Sequence, residues 1–136
     1  MNSMAKKLLI VDDRALTRYL VRQAAATPQD TVLECASAAE AVQAVGAFQP
    51  DCVLMGVSLP APDTFAAIKS IRKKHPEVRV LAVSLTDENE LRHAAGAAGA
   101  AGYVTTENLS ELFLLAAPGR LAAPPAQPRK SQRERK

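Results

Sequence analysis

Five apolar runs alternate with five helical patterns along this chain, and that alternation most limits the folds open to it. The runs are Leu8–Val11, Val32–Cys35, Cys52–Met55, Val80–Ser84 and a short Tyr103–Thr105. The first, third and fourth are nearly unbroken in apolar residues, as parallel strands covered on both faces require. Parallel strands need crossover connections, and the intervening segments carry helical spacing. Leu16, Leu20 and Ala24 predict one buried stripe, and Phe65, Ile68 and Ile71 another. Ser37 with Glu40 forms a capping-box pattern ahead of Val42 and Val45. Asp87 with Glu90 predicts the start of a helix carrying Leu91, Ala94 and Ala95 and stopping near Gly99. Asn108 with Glu111 predicts the start of the last helix, which carries Leu112, Phe113 and Leu115.

Strict alternation with right-handed crossovers gives an α/β fold with a doubly wound, five-stranded parallel sheet. The expected class is flavodoxin-like, (βα)5, with strand order 2-1-3-4-5. Ligands of such sheets bind at the carboxyl ends of the strands, beside the switch point. Asp12, Asp13 and Gly56 all fall there if the strand order is 2-1-3-4-5. In this order the first strand separates Cys35 from Cys52, which argues against a disulfide. Their spacing suits neither a metal site nor a disulfide framework, so both read as buried, reduced thiols of a cytoplasmic protein.

After residue 117 the pattern dissolves. Pro118, Pro124, Pro125 and Pro128 preclude a continuous helix. Residues 5–117 are expected to form one domain, and 118–136 a Pro-rich basic linker or disordered tail. From Arg120 to Lys136 there are six Lys or Arg against Glu134 alone, a charge of +5. The whole chain carries +3, so the remainder carries −2. The basic balance therefore belongs to the tail, and no aromatic residue lies there to stack on bases, so specific nucleic-acid binding is not expected. No apolar stretch approaches the roughly 20 residues a membrane span needs. Met1–Lys7 is too short to hold a signal peptide ahead of the first strand.

The strand ends carry a resemblance. Leu8-Leu9-Ile10-Val11 ends in Asp12-Asp13, and Cys52-Val53-Leu54-Met55 ends at Gly56, followed by Val57-Ser58-Leu59-Pro60. Val80-Leu81-Ala82-Val83 ends on the hydroxyl of Ser84, and Ala97-Ala98-Gly99-Ala100-Ala101-Gly102 leads into Tyr103. This set resembles the receiver domain of two-component response regulators, over residues 5 to about 117. The resemblance implies a role in phosphorelay signal transduction. In that family two adjacent acids and an acceptor aspartate hold Mg²⁺, a hard cation that favours oxygen ligands. A hydroxyl residue and a lysine spread charge from the phosphoryl oxygens. Asp12 and Asp13 match the acid pair, and Ser58 stands where the family lends a backbone carbonyl to the metal. Ser84 matches the hydroxyl residue, and Tyr103 matches the rotameric switch aromatic.

Three positions depart from the family pattern. Gly56 stands where the acceptor aspartate belongs, Thr106 where the lysine belongs, and Asp63-Thr64 where Asp-Gly is common. Losing one acid and one lysine together leaves Asp12 and Asp13, a formal −2, as in the standard pocket. Each matching residue also has a plainer reading. An aspartate after a strand can cap the next helix, a serine there can close a turn, and Tyr103 can be a half-buried strand aromatic.

The expectation is a divergent pseudo-receiver, without Asp at 56 or Lys at 106, acting through phosphorylation-independent protein contacts. Leu112, Phe113, Leu114 and Leu115 are four consecutive apolar residues, and at least one must face outward. The resemblance implies a partner or homodimer surface on the face of the fourth helix, fifth strand and fifth helix, and an outward residue of this run offers a contact there. The surrounding Pro60, Asp63 and Val78–Val83 most resemble receivers of LuxR-type transcriptional regulators. The alternative is a receiver still switched by Mg²⁺ or a phosphoryl group, controlling transcription through a DNA-binding output domain outside this chain. An enzyme is not expected, because no Gly-rich fingerprint follows the first strand, and His75 and His93 lie on helical segments.

Overall fold

The structure is a computed structural model that describes residues 5–57 and 62–117. The elements in chain order are β1 (Lys7–Val11), α1 (Ala15–Ala25), β2 (Thr31–Cys35), α2 (Ala38–Phe48) and β3 (Cys52–Val57). They continue with α3 (Pro62–Lys74), β4 (Arg79–Ser84), α4 (Asn89–Ala98), β5 (Gly102–Thr105) and α5 (Ser110–Leu115). A single 3-10 turn, Thr106–Asn108, joins β5 to α5. The strands form one sheet in the order β2-β1-β3-β4-β5, and every pairing is parallel. The expected flavodoxin-like arrangement is the one observed.

Alternation along the strands builds two cores. Leu9, Val11, Val53 and Met55 face α2, α3 and α4, while Leu8, Ile10, Leu54 and Leu81 face α1 and α5. Each fully buried aliphatic side chain contributes about 1.5–3 kcal/mol. Cys35 belongs to the first core and Cys52 to the second, and both thiols are free and buried. No helix among the described residues is long and apolar enough to cross a membrane.

Three local expectations are corrected. The buried stripe of α1 is Thr17, Val21 and Ala25, whereas Leu16 and Leu20 are 69% and 41% exposed. The two stripes differ by one residue, about 100° of helix rotation. Arginines fix the choice: Arg18 and Arg22 both pair with Glu34 on β2, at 2.9 and 3.1 Å, and so anchor one flank of the helix to the sheet edge. Strand β3 also runs past Met55 through Gly56 and Val57, because β4 extends the ladder with Gly56 beside Val83 and Val57 beside Ser84. Finally, the caps proposed at Asp87 and Asn108 do not form. Glu88 and Leu109 occupy the N-cap positions, and Asp87 instead pairs with Arg92.

The cap at Ser37 does form, its side chain accepting from the Glu40 amide at 3.2 Å. Helix α4 stops at Gly99, whose φ of 112° lies in the left-handed region open to glycine. In α5, Leu112 is buried while Phe113 and Leu114 are 47% and 61% exposed.

At the amino end of the sheet, the Asp30 carboxylate accepts from Lys6 N at 2.9 Å, Lys6 Nζ at 2.7 Å and Thr27 N at 2.7 Å. These bonds tie the α1–β2 turn to the start of β1. Burial pushes the Asp30 carboxyl up, but the Lys6 ammonium and the Thr27 and Lys6 amides outweigh it and hold it below the ordinary value.

Candidate functional site

Register places the site before any side chain is considered. Val11 pairs with Met55, Val57 with Ser84, and Ser84 with Thr105. Asp12, Gly56, Ser84 and Thr105 therefore share the carboxyl edge of the four strands on the β1 to β5 side, where ligands of such sheets bind. Asp12 extends the ladder by donating its amide to the Cys35 carbonyl at 3.1 Å.

Asp12 is buried, and both oxygens of its carboxylate accept hydrogen bonds. Oδ1 accepts from the Arg14 amide at 2.8 Å and from Arg14 Nε at 3.1 Å, while Oδ2 accepts from Arg14 Nη2 at 3.2 Å. The first bond closes a local turn of the kind aspartate favours, and the other two make a charge-assisted fork. Arg18 Nη1 adds a bond to the Asp12 carbonyl at 2.7 Å. Hydrogen bonding by Asp12 raises Arg14 above the ordinary guanidinium value despite partial burial. Asp12 does not cap α1, since the N-cap is Arg14 and no side chain bonds there. The Asp13 side chain is 83% exposed and stands 3.7 Å from Arg14 Nε.

Gly56 is where this arrangement becomes tight. A Cβ placed on it would collide with Asp12 Oδ2 and lie 3.0 Å from both Asp12 Cγ and the Val11 carbonyl oxygen. The Asp12 carboxylate thus fills the space in which a side chain at position 56 would begin. Glycine is required for that close approach.

Ser84 is buried, and its Oγ accepts from the Thr86 amide at 3.2 Å. The Tyr103 hydroxyl donates to the Thr86 carbonyl at 2.8 Å. Ser84 and Tyr103 are therefore linked through the Thr86 backbone and not by direct contact. The Arg92 guanidinium lies 4.6 Å from the centre of the Tyr103 ring and pairs with Asp87 at 2.7 Å. Thr106 opens the 3-10 turn after β5, and the neighbouring Thr105 hydroxyl is buried beside Asn108. Ser58, like Leu59 and Pro60, lies outside the described residues, as does the tail 118–136.

Sequence reasoning missed Arg14. Counting only carboxylates and the lysine position gave the pocket two negative charges; Arg14 neutralises one of them. The signal was present, a cation two residues after an aspartate at a strand end, but its direction depends on the turn. Thr86 and Arg92 were missed for a similar reason, since the β4–α4 loop sets their positions.

The donor set does not suit Mg²⁺, which demands near-octahedral oxygen ligation. Arg14 engages both oxygens of Asp12, and Asp13 offers one exposed carboxylate. Among the described residues no group of three or more His, Cys, Asp or Glu side chains comes together.

Comparison with known proteins places this geometry in context. A family model for the response regulator receiver domain matches residues 8–114. Response regulator GacA of Pseudomonas syringae pv. syringae is 32% identical over 101 residues, covering 73% of this chain and 47% of GacA. Chemotaxis protein CheY of Halobacterium salinarum is 29% identical over 102 residues, covering 75% of this chain and 85% of CheY. The chain thus spans about half the length of the GacA relatives it matches. Among solved structures, a LuxR-family two-component response regulator from Aurantimonas sp. SI85-9A1 superposes with a TM-score of 0.71 at 30% identity, covering 81% of each chain.

Proposed function

This chain belongs to the response regulator receiver domain family, and from that premise we propose that it signals through protein contacts without accepting a phosphoryl group. The observation that carries the reading is the Asp12 carboxylate lying over Gly56 in the grip of Arg14. A phosphoryl acceptor at the end of β3 needs a carboxylate there, and glycine supplies none. A phosphoryl group entering that space would meet Asp12, a like charge at close range. Thr106 brings no cation to offset it, and Arg14 is already committed to Asp12. Asp12 and Asp13 are poor substitutes as acceptors for the same reason.

The output surface in this reading is the α4–β5–α5 face. Exposed Leu114 offers an apolar contact there for a signalling partner, an output domain or a second copy, whereas the half-exposed Phe113 turns to the opposite flank of α5, beside Lys6. The domain is read as non-enzymatic and cytoplasmic. Similarity over about half of the DNA-binding transcriptional activator DevR/DosR of Mycobacterium tuberculosis supports transcriptional regulation as the setting. The second reading, a receiver still switched by Mg²⁺ or a phosphoryl group, draws support from the two hydrogen bonds that link Ser84 and Tyr103 through the Thr86 backbone.

Titration of the ¹⁵N-labelled chain with beryllofluoride and Mg²⁺ separates the two. The proposal expects no saturable amide shift, and no gain of a phosphoryl mass after incubation with acetyl phosphate. Saturable beryllofluoride binding would defeat it.

A further inference from the structure

Two carboxylates at one strand end, one of them buried, call for a counter-charge. In this molecule the counter-charge is a side chain of the same turn. Arg14 reaches Asp12 through both oxygens, at 3.1 and 3.2 Å, and stands 3.7 Å from Asp13. Its own amide adds a bond to Asp12 at 2.8 Å, so the backbone fixes the acid in the pose the guanidinium grips. Space for that pose exists because Gly56 has no Cβ. We infer that Arg14 is the resident cation of the acid pair: it takes the place of a divalent ion and holds this edge of the sheet in one state without any ligand.

This inference deepens, and rests on, the reading that no phosphoryl group forms at position 56. Three features of the molecule fit together in it. The guanidinium supplies directional donors that match a carboxylate, so it neutralises Asp12 without the ligand shell a hard cation demands. Arg14 is half-buried, and its stem is anchored one residue before α1, so little conformational freedom is lost on pairing. Arg18 bonds the carbonyl of Asp12 and carries its own ion pair to Glu34, which steadies the turn from the other side. The acid pair is thus not a vacant relic of metal binding but one half of an internal ion pair.

The inference predicts that divalent cations compete with Arg14 and are admitted when it is removed. The probe is Mn²⁺, read by paramagnetic broadening of the Asp13 and Val57 amides of the full 136-residue chain. Wild type should show no saturable broadening. Arg14→Ala should bind saturably, and at least roughly tenfold more tightly than wild type, because a cation a few ångströms from the ion has gone. Arg14→Gln removes the charge while keeping a side-chain donor for Asp12; it serves where the alanine variant does not fold, and it should gain affinity likewise. Adding Asp12→Asn to either variant should abolish the gain. Wild-type affinity equal to that of the variants overturns the inference, and so do folded variants that gain nothing. A beryllofluoride arm keeps the two readings apart. Saturable beryllofluoride binding to wild type sinks the function proposed above, whereas the Mn²⁺ result alone judges Arg14.

Discussion

The Asp12 carboxylate occupies the place where a side chain on Gly56 would start, so the two residues are fitted to each other. A methyl group at 56 must displace Oδ2 and break the match between Asp12 and the Arg14 fork. Gly56→Ala should therefore destabilise the domain by about 1 kcal/mol, even though alanine is intrinsically better than glycine in a strand. Urea denaturation checks the sign. In an Asp12→Ala background the penalty should shrink, leaving the tight approach to the Val11 carbonyl; an unchanged penalty would mean that the backbone alone sets it. Gly56→Asp should fold less stably still, and should become a phosphoryl acceptor only if Asp12 swings away from Arg14.

The Lys6–Asp30 pair sits in a different part of the fold and bears on stability. Both side chains are buried, and the ammonium also lies 5.6 Å from the centre of the Phe113 ring. Lys6→Met leaves a buried carboxylate with amide donors alone, and should cost about 2 kcal/mol. The pH dependence follows from the depressed Asp30 carboxyl. The stability it contributes is complete above the unfolded carboxylate pKa, ~4, and drains away as pH falls through the lower folded-state value. Without Lys6 the folded value rises, so acid unfolding should begin at a higher pH. Circular dichroism across an acid titration of both proteins tests this, and superimposed curves would count against the pair.

Tyr103 tests the link across the β4–α4 loop. Tyr103→Phe removes the donor to the Thr86 carbonyl but leaves the ring beneath Arg92. That bond is exposed, so the expected loss of stability is at most about 1 kcal/mol. The larger effect should be local, with faster hydrogen exchange at the Thr86 amide, whose acceptor is Ser84 Oγ. Arg92→Ala should have a similar local effect through loss of the ring contact and the Asp87 pair. Unchanged exchange at Thr86 in both variants would show that Ser84 holds the loop by itself.

How far these features were legible in the sequence depends on their range. A doubly wound parallel sheet follows from continuous apolar runs separated by helical spacing. That pattern leaves more than one strand order open. The order 2-1-3-4-5, with the meeting of Asp12, Gly56 and Ser84, comes with the resemblance carried by the strand ends. The Ser37 cap forms as its spacing to Glu40 suggests, but the same spacing from Asp87 to Glu90 and from Asn108 to Glu111 gives no cap, so local spacing alone does not decide a helix start. The buried stripe of α1 was not legible, since Leu16/Thr17, Leu20/Val21 and Ala24/Ala25 offer two adjacent stripes of similar character. Only Glu34, on another strand, decides the rotation. The Arg14 fork escaped for a related reason: nothing in Asp12-Asp13-Arg14 says which acid the guanidinium turns toward. That choice depends on the Gly56 backbone more than forty residues downstream.

Cys52 offers a chemical reporter of the core. It is wholly buried beside Arg79, and burial pushes its thiol up to about 12, while burial also raises Cys35. Alkylation requires the thiolate and access to it. At pH 8 the native chain should leave Cys52 unmodified by iodoacetamide, and urea beyond the unfolding midpoint should expose both cysteines. Mild oxidation of the native chain should produce no internal disulfide, because Cys35 and Cys52 lie in cores on opposite faces of the sheet with β1 between their strands. Lys6→Met lowers the cost of global opening, so it should speed Cys52 labelling at low urea by the factor its stability loss implies. Equal labelling rates for the two proteins, measured by mass spectrometry of the Cys52 peptide, would show that the thiol is reached by a local opening that does not involve the amino end of the sheet.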